Sequence, residues 1–77
     1  MENEDALAQA ERDVRECEER IANQVRLVER LEARRRWEAA DHARAILADL
    51  REGLAIARAR RRVQQVARDS RSADGAR

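Results

Sequence analysis

Cys17, His42 and two runs of arginine, "RRR" at 34–36 and "RARRR" at 58–62, are the side chains in this 77-residue chain with chemistry to offer. A cysteine acts as a nucleophile or redox centre through its thiolate, which needs a nearby cation or a helix N-terminus. Cys17 has Glu16, Glu18 and Glu19 around it instead, and reads as a small buried hydrophobe. A histidine holds a metal only with partners at ligand spacing. Carboxylate-rich di-iron bundles use a Glu-x-x-His step of three residues; Glu38 precedes His42 by four, and the single cysteine lies well away along the chain. His42 is therefore expected in solvent. No serine, histidine and aspartate grouping, glycine-rich loop or cysteine cluster is present from which to build a catalytic site. The expectation is a protein that is not an enzyme and takes no metal or cofactor.

The arginines remain. Arg34, Arg35, Arg36, Arg58, Arg61 and Arg62 are candidate anion contacts, because a guanidinium matches phosphate geometry. A dedicated polyanion binder carries a large basic excess, whereas 17 basic residues here meet 16 acidic ones. Trp37 is the only aromatic residue, too little for a base-stacking platform. A nucleic-acid-associated role is thus the alternative rather than the main reading. Every basic residue is arginine, which reads as codon bias before it reads as selection for bidentate contacts.

Which elements carry these residues follows from the apolar spacing. Leu7, Val14, Ile21 and Val28 recur every seven residues, and Ala10, Cys17, Gln24 and Leu31 fill the intervening step. Together they make one narrow seam on a first helix spanning about 4–34. Asn3 can cap it, with Glu4 and Asp5 in the first turn, where the helix dipole favours acids. Beyond Leu31 the register fails. The next seam positions would be Arg35, Glu38, His42, Asp49 and Glu52, and unpaired charges do not fill a dry seam. A second stripe, Ala43, Ile46, Leu47, Leu50, Leu54 and Ala57, starts in a new phase. The break predicts a turn at about 35–40 and a second helix over about 41–68, capped by Asp41, with Trp37 folded over the tip onto Leu31 or Ile46.

Charge agrees with a reversal. Residues 1–19 hold eight acids and two arginines, and residues 58–77 hold seven arginines and two acids. A hairpin sets these ends side by side, while one continuous helix would hold them roughly 100 Å apart. The stretch "EARRRWEAADHA" has no glycine or asparagine to take the left-handed turn residue, so an uninterrupted helix pairing with a second copy is the competing shape. Arg44, Arg51 and Arg58 fall at seven-residue spacing, as do Glu4, Glu11, Glu18 and, two heptads on, Glu32. These are natural partners across the seam. The final residues, 69–77, are small and polar and read as a disordered tail.

The second helix has a second apolar face, Ile56, Ala59, Val63 and Val66, which one neighbour cannot cover. A chain this short also buries too little surface alone. The expected architecture is therefore all-α: an antiparallel, coiled-coil-like two-helix hairpin that dimerises into a four-helix bundle through that face. Its expected role is a structural or protein-interaction module. No apolar run of signal or membrane-span length occurs, and one cysteine without a disulfide partner fits a reducing compartment. Both point to the cytoplasm, away from the membrane.

The stretches "ERDVRECEERIANQVRLVERLE" and "ARAILADLREGLAIARARR" resemble a group of short uncharacterised helical-hairpin proteins common in alphaproteobacterial genomes. The likeness covers about residues 11–62 and rests on the Glu18, Ile21, Gln24, Val28 and Leu31 spacing and on the Ile46, Leu47, Leu50 and Leu54 block. Members usually join their halves with a "G-x-D-T" connection, where this chain has "RRRWEAA". The resemblance implies a helical hairpin and no activity.

Overall fold

A computed structural model describes the backbone of residues 2–75 and the side chains of residues 6–71. Two helices, α1 (Glu2–Ala33) and α2 (Trp37–Gly75), are joined by three residues and pack antiparallel. The hairpin is a rod of 63 × 15 × 15 Å. The uninterrupted helix is excluded, and the chain reverses just past Leu31, where the apolar phase breaks.

The reversal is tighter and earlier than the composition suggested. The Arg35 N–H donates to the Glu32 carbonyl and the Arg36 N–H to the Leu31 carbonyl, both at 2.9 Å. Arg35 sits in the left-handed region with φ 56°. This is the paired-bond helix ending that ordinarily places glycine at the left-handed position. Arginine there costs about 1–2 kcal/mol. The Arg36 carbonyl accepts from the Ala40 N–H at 2.9 Å, so α2 starts at once and residues 37–40 are helical rather than part of the turn. Asp41 consequently lies inside the helix and caps nothing; it pairs with Arg44 one turn on. At the other ends, α1 begins at Glu2, which puts Asn3 within its first turn, with a side chain outside the described residues. α2 continues through Gly75, so residues 69–75 are helical where a disordered tail was expected. Nothing between Asp69 and Asp74 breaks a helix already nucleated; residues 76 and 77 lie outside the described part.

The seam of α1 is the heptad read from sequence. Leu7, Ala10, Val14 and Val28 are buried, and Cys17, Ile21, Gln24 and Leu31 are half-buried. On α2 the matching line is Ala40, Ala43, Leu47, Leu50, Leu54 and Ala57, continued by half-buried Arg61 and Gln64. Ala40 is the most deeply buried of them at 0 % exposure. Ile46 does not belong to the seam. Stepping by three and four from Ala40 reaches 43 and 47, leaving 46 on a flank and exposed. Trp37 is likewise exposed instead of folded over the tip. It stands seven residues before Arg44, on the same flank, because the seam's step back from Ala40 is four residues and lands on Arg36.

Candidate functional site

The two flanks of the seam differ. Along one of them Glu32 pairs with Arg44 and Glu18 with Arg58, the latter at 3.5 Å. These are two of the cross-seam partners expected from the heptad charges. Each pair fits the same antiparallel register, and that register puts Arg51 opposite Val25, where no acid is available. Arg44 also bonds Asp41. Its guanidinium is held above its ordinary pKa, first by the hydrogen bond it donates to Glu32 and further by the nearby charges of Glu32 and Asp41. Within the seam, the Gln24 amide donates to the Ala43 carbonyl at 2.9 Å. This cross-helix bond gives a polar seam side chain a partner and ties the two helices at one height. Sequence spacing marked Gln24 as a seam residue without revealing that partner.

The other flank is apolar toward the open end of the hairpin. Ile56, Val63 and Val66 are exposed by 55 %, 64 % and 64 %, and Ala59 is half-buried. Ile56 and Val63 each precede a seam residue, Ala57 and Gln64, and so turn about 100° away from it. The seam claims one side of α2 and leaves this strip without cover inside the hairpin. It opens onto a groove of about 600 Å³ whose other wall is Ala6, Gln9, Ala10 and Asp13 of α1. The four strip residues nominated from sequence are therefore brought onto one surface. What sequence reasoning missed is the α1 wall, since Ala6 and Gln9 carry no periodic signal of their own.

The six candidate anion contacts do not form one site. Arg34, Arg35 and Arg36 are exposed at the tip. Arg58 is engaged with Glu18, Arg61 is half-buried on the seam line and Arg62 is exposed. The two sets stand roughly 35 Å apart along α2 by helical rise. Cys17 is half-buried with a free thiol, beside Gly53 and Ala57. His42 is exposed, and among the described residues no group of three His, Cys, Asp or Glu side chains could hold a metal ion. None of the described helices is long and apolar enough to cross a membrane.

Comparison with known proteins returns no matching family, no matching curated protein and no matching solved structure. The resemblance of residues 11–62 to short helical-hairpin proteins gains nothing from it.

Proposed function

We propose that this chain is a small structural or protein-interaction module that works by helix packing and self-association in the cytoplasm, and that it carries out no catalysis. The observation behind this reading is the exposed strip of Ile56, Ala59, Val63 and Val66. Branched aliphatic side chains at three-and-four spacing on a helix are what another helix packs against, and the hairpin itself leaves them in water. The test is a photo-crosslinking residue at Val63, compared with one at Glu29 on the outer side of α1, in cells that make the protein. Adducts with a protein from position 63 and not from position 29 are expected. No adduct at position 63 sinks the reading.

One observation favours a second reading, a nucleic-acid-associated protein. Arg34, Arg35 and Arg36 stand exposed at the tip, and none of them forms an ion pair among the described residues. Phosphate contacts release counterions, so binding to duplex DNA or RNA would fall steeply with salt. A chain not retained on either at low salt removes this reading.

A further inference from the structure

We infer that the occupant of the strip and groove is a second copy of this chain, set beside the first by a two-fold axis running along the rod, so that both tips lie at one end. The inference rests on the packing-module reading above and adds to its self-association the surface where the copies meet and their arrangement.

Area supplies the first reason. The hairpin exposes 6101 Å², whereas a folded monomer of its 8.9 kDa mass exposes on the order of 4,800 Å². The excess, about 1,300 Å², exceeds the roughly 800 Å² that each partner contributes to a stable interface. A second hairpin of the same length reaches along the whole strip.

Charge selects the axis. Within one hairpin, acidic residues of α1 stand at the height of basic residues of α2, and Asp13 and Arg60 border the same groove. An axis along the rod lays α2 of each copy beside α1 of the other at that same height. Arg60 then meets the partner's Asp13, and Glu52 meets the partner's Arg20, so the pattern that matches the helices within a chain is used again between chains. An axis across the rod lays α2 against α2. If that axis passes through the middle of α2, at Ile56, Val63 faces the partner's Asp49, which is exposed. If it passes through the middle of the strip, at Arg61, Arg60 of each copy stands beside Arg62 of the other. Like charges or a charge against an apolar strip are unfavourable in either case.

The test uses the full chain. Sedimentation equilibrium is expected to give twice the chain mass, and Val63→Asp or Ile56→Asp, both at exposed positions of the hairpin, to return it to one chain mass with helicity retained. With Cys17→Ala and a nitroxide at Arg36→Cys, pulsed electron resonance is expected to show an intermolecular distance under about 30 Å, the width of a four-helix bundle. A distance near the 63 Å rod length overturns the axis. A dimer indifferent to both strip substitutions overturns the surface. A wild-type chain of single mass at every concentration overturns the second copy and the self-association proposed above, while the protein-interaction part of that reading then stands or falls on whether position 63 crosslinks to another protein.

Discussion

Arg35 is the residue on which the shape turns. An arginine with φ 56° pays the left-handed penalty that glycine escapes, and it does so because Glu32, Leu31 and the start of α2 leave the backbone no other route. Replacing it with glycine removes about 1–2 kcal/mol of strain and returns about 0.5–1 kcal/mol through the freer unfolded chain. Arg35→Gly is therefore expected to stabilise the hairpin by roughly 0.5–1 kcal/mol, a rise of a few degrees in a thermal melt followed by circular dichroism. An unchanged or lower midpoint would show that the arginine makes a contact worth the strain. No sequence signal marks this position. The connection lacks the usual glycine, so Asp41 looked like the better landmark, and the expected turn begins one residue late and ends four late. The same lateness hid Ala40, and with it the true phase of the seam near the tip.

At the scale of the helices, most of the packing was legible. All eight seam positions of α1 follow from the seven-residue recurrence, because a heptad on a helix with one partner admits a single buried line. The α2 line was read correctly from Ala43 through Ala57 except at Ile46, whose apolar character belongs to a flank. Helix-breaking composition was overrated at the end of α2, where small polar residues follow an established helix. Gly53 is the weak point left in α2. A Cβ built there meets nothing within 4 Å, so its interior position costs helix stability with no packing reason inside the hairpin. Gly53→Ala in the Val63→Asp background, chosen to keep association out of the measurement, is expected to add about 0.5–1 kcal/mol. Denaturant titration would show this as a higher midpoint with an unchanged slope.

For the whole molecule, two valines separate what folds the chain from what it meets. Val14 is 2 % exposed and Val63 is 64 % exposed. An aspartate at position 14 places an unpaired carboxylate in the seam, a cost of several kcal/mol against the small stability of a two-helix domain. Val14→Asp is accordingly expected to lose its helical circular dichroism, while Val63→Asp keeps it. Equal helicity in both variants would show that the seam is not what holds the rod together. The separation could be read from sequence because the seam and the strip are distinct periodic lines on α2. The groove wall beside the strip could not, since apart from the seam residue Ala10 it is made of Ala6, Gln9 and Asp13, residues with no pattern to announce them.

The lone indole of the molecule stands in water at the tip, more than half exposed, and far from the strip. Its emission will therefore be nearly the same for the native and the denatured protein, blind to the melting of the seam. Any blue shift of that light instead marks something settling over the bend itself.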